Sequence, residues 1–189
     1  MKKFLKAVWY FIWEDNSLLS WVVNVILAFL LVKFVIYPVL GALLGTSYPV
    51  VAVISSSMEH NDMGFDSWWD ANKEWYLQND IAKSELESSI FKNGFNKGDI
   101  IVLRGGAADK IKRYDVIVYS NDNYKYPIIH RVVNIEGDGI VYGFRAKGDN
   151  NPTTDPSSIR SDQVLGKAVI KVPYLGWIKL LFTELIGGI

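Results

Sequence analysis

The chain has 189 residues, of which 50% are hydrophobic, and its 20 Lys and Arg residues balance 20 Asp and Glu residues. A neutral chain of this length predicts about one domain with an additional segment, and it argues against a nucleic-acid-binding protein. The absence of cysteine excludes disulfides, thiolate metal sites and cysteine catalysis, and with only two histidines we expect neither a metal site nor a cofactor.

The first part of the chain carries much of the apolar excess. Residues 1–17 form an aromatic, lysine-flanked stretch that predicts a cytoplasmic or interfacial segment, because Trp and Tyr rings favour the headgroup region of a membrane. Residues 18–45 contain an apolar run of about 20–27 residues, which is long enough to cross a membrane as a helix. The run is too long for the apolar part of a cleaved signal peptide, so we expect a retained transmembrane anchor.

The lysines beside this run predict its orientation. Lys2, Lys3 and Lys6 precede it, whereas the first basic residue beyond it is Lys73. The positive-inside rule therefore predicts a cytoplasmic N-terminus and an extracytoplasmic domain after the anchor, at the cell membrane.

Residues 46–172 change to short runs rich in Val and Ile, which Gly, Asn, Asp and Pro punctuate. Such runs predict a mainly β domain with antiparallel pairing, in which residues 136–139 form a hairpin turn. The predicted strands cover residues 49–54, 99–104, 115–120, 128–136, 139–146 and 163–172.

An aromatic-rich insertion at residues 61–96 interrupts the strand pattern and predicts two short helices. Asp66 is the candidate N-cap of the first helix, and Ser84 with Glu87 forms a candidate capping box for the second. The first helix carries four rings, at Trp68, Trp69, Trp75 and Tyr76. These rings either pack onto the sheet or form an aromatic lip that rests on the membrane.

The end of the chain, residues 173–189, is hydrophobic but short, and it carries Lys179 and Glu184. This composition predicts an interfacial C-terminal helix, and a truncated second membrane span is the alternative.

One serine, one histidine and two aspartates are candidates for catalysis. Ser57 ends a serine triplet that closes an apolar strand, and as a nucleophile it would need a base to remove its proton. His130 lies within another apolar strand, and Asp149 and Asp155 lie in a turn-rich loop. Each position has an ordinary structural explanation, but together they supply a nucleophile, a base and an orienting carboxylate in one domain.

Five sequence blocks resemble, in the same order, those of type I signal peptidases of the archaeal and endoplasmic-reticulum branch, in which histidine stands in place of the bacterial catalytic lysine. The blocks are Ser-Ser-Ser-Met at 55–58, Lys-Gly-Asp-Ile-Ile-Val at 97–102, Ile-His-Arg-Val-Val at 129–133, Lys-Gly-Asp-Asn-Asn at 147–151 followed by Asp155, and Leu-Gly-Lys-Ala at 165–168. The resemblance covers the anchor and most of the following domain. It implies a partly curled β fold.

The resemblance also implies roles for the four catalytic candidates. Ser57 would be the nucleophile, and His130 would be the general base that later protonates the leaving amine. Asp155 would orient the imidazole, and Asp149 would have a supporting or structural role. The order of importance of the two aspartates stays open.

The same resemblance implies an oxyanion hole and a substrate-binding strand. The backbone N–H of Ser57 and the hydroxyl of Ser55 would stabilise the oxyanion. The substrate would bind as an extended strand beside Val51, Ala52 and Val53, with small side chains at the first and third positions before the cut.

The function that these features imply is a membrane-bound serine endopeptidase, which removes signal peptides from exported preproteins at the outer face of the membrane. Its expected partners are the signal peptides of secretory preproteins and the lipid bilayer. The secretion translocon and accessory subunits are further candidates, and no nucleic-acid partner is expected.

Two departures from the family pattern leave alternatives open. His60 stands where the family usually has Pro, and its closeness to Ser57 makes it a second candidate base; the aromatic insertion is the other departure. One alternative function is a serine peptidase that uses Lys110 or Lys112 as its base. Another is a non-catalytic, membrane-anchored β-domain subunit of a secretion or membrane complex.

Overall fold

The computed structural model describes residues 1–106, 108–137 and 142–185. The chain divides into two compact units, Met1–Leu43 and Leu44–Ile189. Each unit is considered by itself below.

The N-terminal unit begins with two helices, α1 (Lys2–Trp13) and α2 (Leu18–Leu31). Two polar residues of α2 satisfy carbonyl groups in the last turn of α1, which have no partner within their own helix. Ser20 Oγ donates to Phe11 O at 2.5 Å, and Asn24 Nδ2 donates to Ile12 O at 2.8 Å. The polar interruptions of the apolar run therefore hold the two helices together.

Helix α2 continues through one π-helical turn, Val32–Ile36, into α3 (Tyr37–Leu44). Pro38 explains the wider turn, because a proline ring clashes with the carbonyl four residues earlier and lacks an N–H group. Tyr37 N–H donates instead to Val32 O, five residues back. The sequence pattern did not predict this irregularity.

The helical segment Leu18–Leu44 has 27 residues, and its most apolar 18-residue stretch has a mean hydropathy of 2.4. It is the one helix in the described part of the chain that is long and apolar enough to cross a membrane. This agrees with the predicted N-terminal transmembrane helix.

The second unit contains a seven-stranded antiparallel sheet in the order β1-β2-β7-β3-β4-β5-β6. The strands are β1 (Val50–Ala52), β2 (Ile100–Arg104), β3 (Val116–Tyr119), β4 (Ile128–Gly137), β5 (Tyr142–Lys147), β6 (Ile159–Arg160) and β7 (Val164–Val172). The predicted mainly β fold class with a curled antiparallel sheet is confirmed. Six strands match the predicted runs, whereas the two-residue strand β6 was not predicted. Residues 138 and 139 of the predicted turn at 136–139 lie outside the described residues.

Strand β3 contributes alternate side chains to two hydrophobic clusters, one on each face of the sheet. Val116 and Val118 pack on one face with Ile101 and Leu103, while Ile117 and Tyr119 belong to a cluster on the other face. The second cluster includes Val132, Phe144, Ala146 and Ile159. This alternation follows from the two-residue period of a strand, and it decides which strand residues reach the site described below.

The insertion forms α4 (Phe65–Gln78) and α5 (Lys83–Glu87), as predicted, but both predicted caps are wrong. Gly64 occupies the N-cap of α4, and Asp66 lies in its first turn, where its carboxylate pairs with Lys83 Nζ at 2.6 Å. Glu85 rather than Glu87 caps α5, because its Oε2 accepts a hydrogen bond from Ala82 N at 2.8 Å.

The rings of α4 face inward. Trp68, Trp69 and Tyr76 are buried in a cluster with Val133 of β4, and Trp75 packs against the same cluster. Of the two interpretations of this insertion, packing against the rest of the domain is therefore the one that fits the observed burial.

The last described helix is α6 (Gly176–Leu185), within the predicted C-terminal segment; residues 186–189 lie outside the described residues. Leu175, Ile178 and Leu181 are exposed at this end of the chain. Exposed apolar side chains on a short helix are compatible with the predicted interfacial location, which stays a prediction.

Candidate active site

Ser57 lies in a turn that directly follows edge strand β1. The buried side chain of Met58 anchors this turn in the core, with 1% of its surface exposed. Met58 O accepts a hydrogen bond from Phe95 N at 2.9 Å, and Ser57 O accepts one from Asn150 N at 2.8 Å. The backbone carbonyls of Ser57 and Met58 therefore fix this turn to two other segments of the domain.

The Ser57 side chain is half-buried, and its Oγ lies 3.2 Å from Ser55 Oγ, within hydrogen-bond distance. The Ser55 hydroxyl, which the resemblance assigns to an oxyanion hole, thus contacts the nucleophile candidate in this structure. A rotation about one side-chain bond would be needed to aim it at a substrate oxygen.

His130 and Asp155, both predicted site residues, are brought together by the fold. His130 Nδ1 lies 2.8 Å from Asp155 Oδ1 and 2.9 Å from Oδ2. The side chains are 7% and 15% exposed, so the pair is shielded but not sealed from solvent. A carboxylate on Nδ1 selects the imidazole tautomer that leaves Nε2 free to accept a proton, which a general base requires.

One loop, residues 148–155, connects this pair to the serine turn. Asn150 Nδ2 donates to Ser56 O at 3.1 Å near one end, and Asp155 N donates to Ala146 O at 2.8 Å at the other. Gly148 permits the close approach, since a Cβ at this position would lie 2.6 Å from Ser57 O. The loop therefore reaches Ser57 with its first half and His130 with its last residue.

Among the described residues, no hydrogen bond joins Ser57 to His130. Catalytic hydrogen bonds are often long or poorly aligned without substrate and tighten when it binds. The arrangement supplies a nucleophile candidate and an oriented base candidate on connected segments, without their direct contact.

Asp149, the other predicted aspartate, faces a different set of groups. It is fully buried and receives hydrogen bonds from Arg131 Nε at 2.8 Å and Arg131 Nη2 at 2.6 Å. Its Oδ2 also lies 3.0 Å from His60 Nε2. Burial opposes ionisation, but the Arg131 guanidinium and the His60 ring outweigh it and lower the pKa of Asp149 to about 2.

The two aspartates are separated because His130 and Arg131 are consecutive residues of β4 and point to opposite faces of the sheet. His130 reaches Asp155, and Arg131 reaches Asp149. In this geometry Asp155 is the carboxylate that contacts the candidate base, and Asp149 belongs to a buried ion-pair network.

His60, the second candidate base, belongs to the Asp149 network. Only 2% of His60 is exposed, and its ring stacks on Trp68 with a centroid distance of 4.1 Å and an interplanar angle of 6°. Its Nε2 contacts Asp149, and its Nδ1 is buried without a hydrogen-bond partner in the described structure. The side chain thus connects the aromatic insertion to the loop that carries Asp155.

The lysine that is buried near the site is not one of the two that the sequence offered as a base. Lys110 and Lys112, the lysine alternatives, are exposed. Lys147 is buried, lies 5.1 Å and 5.0 Å from the ring centroids of Trp75 and Tyr76, and donates to Gly148 O at 3.1 Å. Burial lowers the pKa of Lys147 to about 8, against the attraction of Asp149. Its place in the Lys-Gly-Asp-Asn-Asn block was the only sequence signal for it.

The predicted substrate strand lies at an edge of the sheet. Strand β1 pairs only with β2 in the sheet order, in the register Val51–Ile101 and Ala52–Ile100. Val53 N donates to Asp99 O, so the alternation of an antiparallel ladder directs the N–H and C=O of Ala52 away from β2. Ala52 therefore offers its backbone to an added strand, whereas Val53 is buried and directs its backbone to residues before β2.

The described residues contain no group of three or more His, Asp or Glu side chains that could hold a metal ion. No protein-family model matches the chain.

Curated proteins with similar sequences are catalytic subunits of signal peptidase complexes. The chain is 28% identical over 105 residues to the signal peptidase complex catalytic subunit SEC11C of Homo sapiens, which covers 51% of this chain and 55% of that protein. It is 28% identical to SEC11 of Colletotrichum graminicola and 26% identical to SEC11 of Pyricularia oryzae, each over 51% of this chain and 61% of the relative. The chain thus spans little more than half the length of these relatives.

These similarities bear out the resemblance that the motifs predict. The chain is similar in sequence, over about half of its length, to the catalytic subunits of signal peptidase complexes.

Proposed function

We propose that this chain is a membrane-bound serine endopeptidase that removes signal peptides from exported preproteins, with Ser57 as nucleophile and His130 as base. The observation that carries the proposal is the His130–Asp155 pair, in which a carboxylate 2.8 Å from Nδ1 orients the imidazole. The loop that ends in Asp155 also holds the Ser57 turn through Asn150. The similarity to SEC11 catalytic subunits supports the substrate class.

The proposed reaction has two steps. Ser57 Oγ attacks the scissile carbonyl while His130 Nε2 takes its proton, and the imidazolium then protonates the leaving amine as the C–N bond breaks. A water molecule next attacks the ester on Ser57 while His130 Nε2 takes one of its protons. The ester C–O bond then breaks, His130 gives the proton to Ser57 Oγ, and the signal peptide leaves with a free carboxyl end. Asp155 holds the imidazole during both proton transfers.

The proposed oxyanion hole consists of the Ser57 N–H and the Ser55 hydroxyl. Ser55 Oγ is 3.2 Å from Ser57 Oγ, so a small rotation would bring its proton to an oxygen bonded to the attacked carbon. A single donor of this kind typically contributes about 3–4 kcal/mol to transition-state stabilisation.

The substrate is proposed to add a strand to the open edge of β1, with Ala52 supplying its backbone hydrogen bonds and with Val51 and Val53 on either side. Edge addition fixes the register of an extended peptide through its main chain, and the side-chain pockets select its residues. Small residues at the first and third positions before the cut are expected to fit beside this strand.

The proposed location is the cell membrane, with residues 18–45 as the anchor and residues 46–172 as the extracytoplasmic peptidase domain. The lysines of residues 1–17 support a cytoplasmic N-terminus. Twelve residues separate Leu44 from Ser57, so the nucleophile would lie near the outer surface, where the cleavage site of a membrane-spanning signal peptide emerges. Accessory subunits and the translocon are candidate partners, and residues 173–189 would rest at the interface.

The proposal predicts a cleavage preference that can be measured with the full chain in phospholipid vesicles. A preprotein with alanine at the first and third positions before its cleavage site should be cut once, directly after the first of these positions. The same preprotein with tryptophan at the first position should be cut much more slowly, because a large ring does not fit a small pocket. Mass spectrometry of the mature product gives the cut site, and equal rates for the two preproteins would contradict the proposed specificity.

A further inference from the structure

Tyr119 is a buried residue that the mechanism above does not use. It ends strand β3, and only 2% of its surface is exposed. Its hydroxyl donates a 2.6 Å hydrogen bond to Asp155 Oδ2. A hydrogen bond to a charged acceptor at this length is among the stronger ones in proteins.

The strand register explains why Tyr119 meets the His130–Asp155 pair. Ile117 pairs with His130, and Tyr119 pairs with Ile128, so Tyr119 and His130 are diagonal neighbours on one face of the sheet. Their ring centroids are 6.3 Å apart with an interplanar angle of 60°, and the Tyr119 hydroxyl lies 3.5 Å from His130 Nδ1. The Asp155 carboxylate therefore receives hydrogen bonds from both side chains.

In its hydrogen bond with Asp155, the Tyr119 hydroxyl is always the donor. Burial raises the pKa of Tyr119, and the hydrogen bond and charge of Asp155 raise it further. The phenol therefore stays protonated at physiological pH, and its proton points to the carboxylate.

We propose that Tyr119 is a positioning residue: its hydroxyl holds Asp155 in the orientation that His130 needs and takes up part of the carboxylate charge. This inference deepens the proposed function and rests on it for its catalytic consequence. The geometry that supports this role is the shared carboxylate, whose Oδ2 accepts from the Tyr119 hydroxyl at 2.6 Å and whose Oδ1 lies 2.8 Å from His130 Nδ1.

Other titratable groups surround the pair and must be kept unchanged in the test. Lys147 interacts electrostatically with Asp155, and Tyr124 interacts with Tyr119. Arg131 and Asp149 form their ion pair on the other side of β4. None of these residues is altered by a substitution at Tyr119.

The catalytic test is Tyr119→Phe, which removes the hydroxyl and keeps the ring in the core. We expect kcat to fall about tenfold, with KM unchanged, which is the loss expected for one hydrogen bond to a charged group. Tyr126→Phe is the matched control, because Tyr126 is exposed at the surface. An unchanged kcat would overturn the proposal.

A double-mutant cycle separates an effect through Asp155 from a general loss of packing. In an Asp155→Asn background, Tyr119→Phe should cause almost no further loss of kcat. An undiminished tenfold loss in that background would overturn the positioning role.

Nuclear magnetic resonance of the histidine ring N–H protons tests the contact between Tyr119, Asp155 and His130 even if the chain cleaves no preprotein. The chain has two histidines, so the ring N–H resonances of ¹⁵N-labelled protein can be assigned to His130 with a His60→Gln sample. Tyr119→Phe should move the His130 Nδ1–H proton resonance downfield, because Asp155 then binds His130 more strongly. An unmoved resonance would overturn the inference, whereas absent cleavage by the unmodified chain would overturn the proposed function alone.

Discussion

Replacing His130 with alanine is expected to lower kcat for preprotein cleavage by about a millionfold, the loss found when a serine peptidase loses its base. Among the described residues that hydrogen-bond to the Asp155 side chain, the His130 imidazole is the one that can both accept the Ser57 proton and return it to the leaving amine. Tyr119, the other group bound to Asp155, is a fixed donor. Single-turnover cleavage with the protein in excess, in detergent or vesicles, measures the loss directly.

His60→Ala is the informative comparison, because the chain has no third histidine. The loss of His60 should reduce stability, since it removes the stack on Trp68 and a partner of Asp149. The cleavage rate per folded molecule should fall far less than for His130→Ala. The reverse order of the two variants would make His60 the base, and near-normal cleavage by both would favour a lysine.

Replacing Asp149 with alanine is expected to lower the free energy of unfolding by about 3–5 kcal/mol, the range found when one partner of a buried ion pair is removed. Arg131, which is 1% exposed, would lose the carboxylate that accepts two of its hydrogen bonds. Urea denaturation of the full chain in micelles, followed by near-ultraviolet circular dichroism, measures the change. Asp162→Ala is a matched control because Asp162 pairs with Arg160 at the exposed surface, and it should leave stability almost unchanged.

The pH dependence provides a second check of the Asp149 network. The pKa of Asp149 is lowered to about 2 in the folded protein from the ordinary aspartate value of 3.8, which it would have in the unfolded chain. Its contribution to stability is therefore complete above about pH 4 and is lost as the pH falls through about 2. The difference in stability between the unmodified chain and Asp149→Ala should therefore narrow over that interval. A difference that is the same at pH 2 and pH 5 would show that the charge on Asp149 is not what stabilises the fold.

The sheet was predictable because local sequence determines its strands. Runs of Val and Ile bounded by turn residues identified six of the seven strands, and the apolar length of residues 18–45 identified the helix that could cross a membrane. Strand β6 was missed because two residues, Ile159 and Arg160, form no recognisable run. The caps of α4 and α5 were misplaced because several Ser, Asp and Glu residues lie within three positions of each helix start.

The site was only partly predictable. The motifs identified His130 and both aspartates as candidates. They could not show which aspartate contacts His130, because that depends on the direction of each side chain on β4. His130 and Arg131 point to opposite faces of the sheet, so that His130 contacts Asp155 and Arg131 contacts Asp149. His60 meets Asp149 across 89 positions of the chain, and Tyr119 meets Asp155 across 36. Such contacts depend on tertiary packing, so Tyr119 looked like any other strand tyrosine.

The central claim is that Ser57 is the nucleophile of a signal-peptide-cleaving peptidase. The most direct test compares the unmodified chain, Ser57→Ala and Ser56→Ala on one preprotein in vesicles, with mass spectrometry of the products. Ser56 is exposed and contributes its carbonyl rather than its hydroxyl to the hydrogen bonds of the turn. We expect the unmodified chain and Ser56→Ala to release the same mature protein at similar rates and Ser57→Ala to release none, whereas undiminished cleavage by Ser57→Ala would contradict the claim.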